Sequence, residues 1–95
     1  DSTTSSKPAF IIRDEIERVL GNLLISYQTK GFDIICSHSV VNSEDVVLEE
    51  GATNELKFEI SIVKVQLLNV NGLLMKKISG DPWIYKSICD QILQN

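Results

Sequence analysis

The chain is short of the residues that most often carry chemistry. Its 95 residues include one histidine, His38, and two cysteines, Cys36 and Cys89. A single histidine supplies neither a zinc cluster nor a His-based triad with ligands to spare. Flanked by Ser37 and Ser39, it is expected at the surface. Cys36 is its near neighbour, but a nucleophilic thiol needs an exposed, electropositive setting, and the run Ile34-Ile35-Cys36 is apolar. With no secretory signal, both cysteines read as buried free thiols rather than a disulfide, which favours a cytosolic context. The five glycines are scattered among turns, so there is no glycine-rich phosphate loop. Long hydrophobic runs are missing too, and none approaches the roughly 20 residues that span a bilayer.

These shortages exclude most enzyme classes. The acids Glu44, Asp45, Glu49, Glu50 and Glu55 crowd into one stretch, without the alternate-position spacing and central glycine of a calcium loop. They read as a solvated loop. No metal, no cofactor and no catalytic residue is therefore expected. Nucleic-acid binding is also disfavoured, because the chain is acidic overall (net charge -4) and lacks interleaved basic and aromatic residues.

What is present is a patterned chain, 43% hydrophobic, of a length that makes one domain with one modest core. Residues 1–7 lack the apolar segment of a signal peptide and read as a polar linker or a truncated leading strand, ahead of a single domain at residues 8–95. Ile12, Ile16, Val19, Leu20 and Leu23 recur at helical spacing, between Pro8 and Gly21-Asn22. Residues 24–29 and 32–39 form two β-rich runs around Lys30-Gly31, a hairpin signal. Leu56, Phe58, Ile60 and Ile62 alternate with polar residues as a half-buried strand requires. Val63, Val65 and Leu67 then shift the apolar phase, suggesting a bulge or twist. Asn71-Gly72 reads as a tight turn into a strand over residues 73–78. Asp81 and Pro82 suit the N-cap and first position of a last helix, whose stripe is Ile84, Tyr85, Ile88, Cys89 and Ile92. The predicted fold is α+β: a four-stranded antiparallel sheet with both helices on one face, in the order α-β-β-β-β-α.

Charge divides the chain. Residues 1–56 carry four Lys/Arg against ten Asp/Glu, and residues 57–95 carry five against three. The pair Lys76-Lys77 belongs to the basic half. It either keeps a strand end soluble or meets something anionic. Trp83 is either core or an amphipathic ring presented at an interface.

The stretch Asn71-Gly72, then Lys76-Lys77-Ile78-Ser79-Gly80, then Tyr85, Lys86, Ile88 and Ile92 resembles the end of the kinase-associated domain 1 at the C-termini of microtubule-affinity-regulating kinases and their fungal relatives. The segments "TTSSKP" at residues 3–8, "RDEIERVL" at residues 13–20 and "LKFEISIVKVQLL" at residues 56–68 are similar to the corresponding family segments. The resemblance implies a regulatory module of a serine/threonine kinase whose ATP-binding part lies elsewhere. Such a module would bind anionic phospholipid at the cytoplasmic, inner face of the plasma membrane and restrain or localise its own kinase domain in cis. Matched to the family's lipid-contacting cations are Arg18, Lys76 and Lys77, whereas Asp14, Glu17 and Leu74 stand where better lipid binders carry basic residues. The alternative is a protein-interaction module without lipid binding, using Leu74 and Trp83.

Overall fold

The structure, a computed structural model, describes residues 3–39 and 55–94. Seven elements follow one another: β1 (Thr3–Ser5), α1 (Ala9–Asn22), β2 (Ser26–Lys30), β3 (Asp33–Ser39), β4 (Glu55–Val65), β5 (Val70–Ser79) and α2 (Pro82–Gln94). The acidic segment expected as a loop, residues 40–54, lies outside the described residues.

Helix α1 starts after Pro8, whose carbonyl accepts from the Ile11 and Ile12 amides. It ends at Asn22, where Gly21-Asn22 placed its stop. Leu24 adopts a left-handed φ of 60°, the Leu24 amide bonds to the Gly21 carbonyl and the Ile25 amide to that of Leu20. That pair of bonds closes a helix end with a left-handed residue just beyond it. The strand predicted from residue 24 accordingly begins at Ser26. Between β2 and β3, Gly31 takes φ 61°, and α1 reaches over to this turn: Arg13 donates to the Gly31 carbonyl at 2.9 Å and its guanidinium lies 5.0 Å from the Phe32 ring centre.

The sheet is antiparallel with order β1-β5-β4-β3-β2. It has five strands where four were predicted. The extra one is β1, which pairs Thr3, Thr4 and Ser5 with Leu73, Gly72 and Asn71. Three polar residues carry no alternation signal, and this strand is held through its backbone at the edge of the sheet. Asn71-Gly72 is not the hairpin turn either. The turn lies at residues 66–69, where Asn69 takes φ 51°, and Asn71 and Gly72 pair inside the ladder with Lys64 and Val63. The ladder runs evenly through Val63, so of the bulge or twist suggested there the bulge is absent. The register shift sits at Lys57/Phe58, opposite Ser79 and Lys77, which leaves Ile78 as the extra residue.

Both helices bury their stripes on the same side of the sheet. Ile12, Ile16, Val19 and Leu20 of α1 and Ile88 and Ile92 of α2 join Ile34, Cys36, Leu56, Phe58, Ile60 and Ile62 in one core. Alternation sends Lys57, Glu59, Ser61 and Val63 of β4 to the other face, on which no described helix packs. Helix α2 is fixed by its start: Asp81 Oδ1 accepts from the Trp83 and Ile84 amides at 2.8 and 3.2 Å. Removing such a cap typically costs about 1 kcal/mol.

Candidate functional site

The three cations singled out from the sequence do not meet. Arg18 is exposed and follows Ile16, a core residue, by two positions, roughly half a turn round the helix. It therefore points away from the sheet, out of the helix layer. Lys76 lies directly across from Glu59, and Lys77 across from Phe58. Phe58 is fully buried beneath the helices, so Lys77 is on the helix side, where its Nζ donates to the Gly80 carbonyl at 3.1 Å just before α2. Lys76 stands on the uncovered face beside a carboxylate. Between Arg18 and Lys76 lie both layers of the domain, on the order of 20 Å. That exceeds the roughly 8 Å screening length at physiological salt, so the two act independently.

The acids of α1 are divided as well. Glu17 accepts from Thr29 Oγ1 of β2 at 2.6 Å and so turns toward the sheet, while Asp14 remains exposed one turn before Arg18. Lys7 is taken by Glu15 at 2.7 Å and Lys57 approaches Glu55 at 3.7 Å.

Trp83 is 77% exposed, so of its two readings the core one fails. It stands on the first turn of α2, three residues before exposed Lys86 and on the same side of the helix. Leu74 is 52% exposed. It pairs with Ser61 and shares the uncovered face with Lys76 and Glu59 and with half-buried Ile35. This face is a mixture of both charges and apolar groups.

The sequence pattern grouped Leu67 with the strand and did not single out Leu68. Leu67 and Leu68, in the β4–β5 turn, are 99% and 68% exposed. Their apolar character made Leu67 look like a continuation of the strand. The available signal was their position between Gln66 and Asn69, a polar bracket that suits a turn.

The thiols are chemically quiet. Cys36 is fully buried; its burial first, and the neighbouring Cys89 second, push its pKa up to about 12. Burial raises Cys89 too. Tyr85 is pushed up to about 12, by loss of water and then by its hydrogen bond with Cys89, and its ring meets that of Phe58 at 6.0 Å. A thiol held this strongly protonated is no nucleophile near neutral pH. His38 is half-buried rather than at the surface, across from Leu56. A cleft of about 170 Å³ opens beside Ile12, Glu15, Ile16, Leu73, Ile92 and Leu93. It is smaller than the roughly 300 Å³ at which small-molecule sites begin, and its one charge, Glu15, is engaged by Lys7. Among the described residues no three His, Cys, Asp or Glu side chains are grouped to hold a metal ion, and no helix is long and apolar enough to cross a membrane.

Residues 54–95 match the family described as kinase associated domain 1. The chain is 43% identical over 42 residues to the probable serine/threonine-protein kinase MARK-C of Dictyostelium discoideum, a match covering 44% of this chain and 5% of that protein. It is 30% identical over 92 residues to the probable serine/threonine-protein kinase MARK-A of the same organism, covering 97% of this chain and 7% of that protein. It is also 30% identical over 125 residues to the protein kinase kin1 of Schizosaccharomyces pombe, a match covering 97% of this chain and 14% of that protein. The chain thus spans only a small part, 5 to 14%, of the relatives it matches.

Proposed function

Because the chain belongs to the kinase associated domain 1 family, a family of non-catalytic regulatory domains, we propose that it is the regulatory domain of a serine/threonine kinase and brings that kinase to anionic phospholipid surfaces. The ATP-binding part lies elsewhere in the polypeptide, and the site of action is the cytoplasmic face of the plasma membrane. One observation carries the lipid preference. From Ile60 to Gly80, which takes in the second half of β4, the turn and all of β5, the chain holds Lys64, Lys76 and Lys77 and no carboxylate, whereas the first half of β4 carries Glu55 and Glu59 beside Lys57. The hairpin is thus a cationic arm on an otherwise acidic domain. Its lysines are spread along the arm and over both its faces, so each adds to the attraction separately rather than as one patch.

The magnitude is modest. A lysine near an anionic leaflet gains about 1 kcal/mol, so three give roughly 3 kcal/mol, on the order of a hundredfold. Glu59, across from Lys76, reduces that figure. Sedimentation of the 95-residue chain with phosphatidylserine-rich vesicles tests the idea. Binding should weaken as salt rises and fall by ten- to a hundredfold in a Lys64→Gln/Lys76→Gln/Lys77→Gln variant. If that variant sediments like the unaltered chain, the electrostatic proposal is lost.

A second function is favoured by Leu74 alone, an apolar side chain exposed in the middle of a mixed-charge sheet face. Such a face suits a protein better than a lipid surface, and the partner we propose is the kinase domain of the same polypeptide, held in an inhibited state. Leu74→Arg should then raise the activity of the full-length kinase. An unchanged activity ratio with and without this domain would remove the idea.

A further inference from the structure

Leu67 and Leu68 sit at the far end of the longest hairpin and touch almost nothing. The last core-facing pair of the hairpin is Ile62 and Leu73. Beyond it the ladder continues through Val63 to Val65 and Val70 to Gly72 and closes at residues 66–69. The turn is already ordered: the Leu68 amide donates to the Val65 carbonyl at 3.2 Å and the Asn69 amide to that of Gln66 at 3.4 Å. Two adjacent leucines are therefore presented in a fixed turn, 99% and 68% exposed, without an ordering cost on binding.

We propose that this turn is a membrane-inserting tip, in which Leu67 and Leu68 enter the headgroup–acyl boundary of an anionic bilayer with Lys64 beside the lipid phosphates. The proposal rests on the membrane function argued above and supplies the second attachment that three lysines lack. Two features select a bilayer over a protein pocket. A nearly free-standing pair at the end of a hairpin offers apolar surface on several sides at once, which a bilayer can surround without a matching shape. The charge is also complementary. No Asp or Glu occurs between Glu59 and Asp81. Ser39 and Glu55, which flank the acid-rich residues 40–54, lie at the opposite end of β4, roughly 30 Å away. The tip is the end of the domain that an anionic surface repels least.

Burying one leucine side chain corresponds to at least a tenfold change in affinity. The test uses the 95-residue chain and vesicles of phosphatidylcholine with and without phosphatidylserine. Leu67→Ser/Leu68→Ser, two exposed positions, should keep its thermal melting transition and lose at least tenfold in partitioning onto the anionic vesicles. A second variant, Leu68→Trp in a Trp83→Phe background, should be quenched by brominated acyl chains. Equal binding by the serine variant, or no quenching while vesicles still bind, overturns the tip and leaves the lysine-based function standing. No binding by the unaltered chain overturns both. Equal vesicle binding, together with loss of a self-association measured by sedimentation, assigns the tip to a second copy of the chain and likewise overturns the proposal.

Discussion

Gly80 is the position where a single methyl group should do the most damage. It links β5 to α2 at φ 118°, a region that L side chains rarely occupy and that costs about 1–3 kcal/mol for other residues. A Cβ added there would lie 2.9 Å from Leu56 Cδ1, 3.0 Å from Leu56 Cα and 3.1 Å from the Glu55 carbonyl oxygen. Two of those three atoms are backbone of β4, a strand paired on both sides, and cannot step aside as a side-chain tip can. Overpacking of this kind costs a further 1–3 kcal/mol or so. Gly80→Ala should therefore destabilise by about 2–6 kcal/mol, out of a total of about 5–15 kcal/mol for a single domain. At about 4–8 °C per kcal/mol for a chain of this size, the melting temperature should fall by at least about 8 °C. Gly21→Ala is the matched control: it lies on the exposed side of α1 with nothing within 4 Å of its added Cβ. It should gain about 0.5–1 kcal/mol from helix propensity. Urea titrations followed by circular dichroism measure both. A loss at Gly80 below about 1 kcal/mol, at unchanged m-value, would refute the claim that backbone geometry at this turn demands glycine.

Three further outcomes follow from the geometry. Asp81→Ala removes the acceptor for the Trp83 and Ile84 amides and should cost about 1 kcal/mol, while Asp81→Asn, also a good cap, costs much less; thermal melts compare them. The Cys36 pKa is raised, to about 12, so the unfolded chain gives up its proton first as pH increases. Stability should be level below the ordinary thiol value of about 8.5 and decline from there toward pH 12. Urea midpoints at pH 7.5 and 10 should show this decline, with a shallower slope in Cys36→Ala. Arg18→Gln and Lys76→Gln, on opposite sides of the domain, should reduce anionic-vesicle binding by amounts that add within about 0.5 kcal/mol; strong coupling would mean that they share a ligand.

Pattern alone reached the elements whose residues repeat. The stripe of α1, the alternation of β4 and the Asp81-Pro82 start of α2 each follow from one local rule. The turn at Asn71-Gly72 did not, because a stronger constraint intervened. A two-residue turn there would set Val70 opposite Leu73 and carry Ile60 and Ile62 beyond the end of the partner strand. The register found instead faces Ile60 with Met75 and Ile62 with Leu73, and core burial outweighs a favourable turn dipeptide. Strand β1 was legible only as one of two options for residues 1–7, since its side chains contribute no pattern and its ladder hydrogen bonds are to a strand nearly 70 residues away. The separation of Lys76 from Lys77 was legible, because neighbours on a strand always point to opposite faces. Arg18 required the third dimension: only the packing of α1 on the sheet places its outer side opposite the face that carries Lys76.

The positions of Leu74 and of the Leu67-Leu68 tip bear on how membrane binding and restraint of a kinase domain would be linked. They are different surfaces. Leu74 lies in the body of the hairpin, and the tip is roughly 20 Å along the strands from it. A kinase domain over Leu74 would also cover Lys76 on the same face, but it and a bilayer around the tip would not contend for Leu67, Leu68 or Lys64. A ligand shifts an equilibrium only by its differential affinity for the two states, so a bilayer can release the kinase domain only if the bulk of that domain obstructs the tip. A folded domain of about 250 residues has a radius of gyration of about 18 Å, enough to reach from Leu74 to the tip. Steric exclusion, rather than exchange at one shared site, is then the coupling. It predicts separable variants: Leu74→Arg frees the kinase and leaves vesicle binding intact, while Leu67→Ser/Leu68→Ser weakens vesicle binding and leaves the resting kinase restrained. Should either variant fail in both assays, the two surfaces are one and the steric account is wrong.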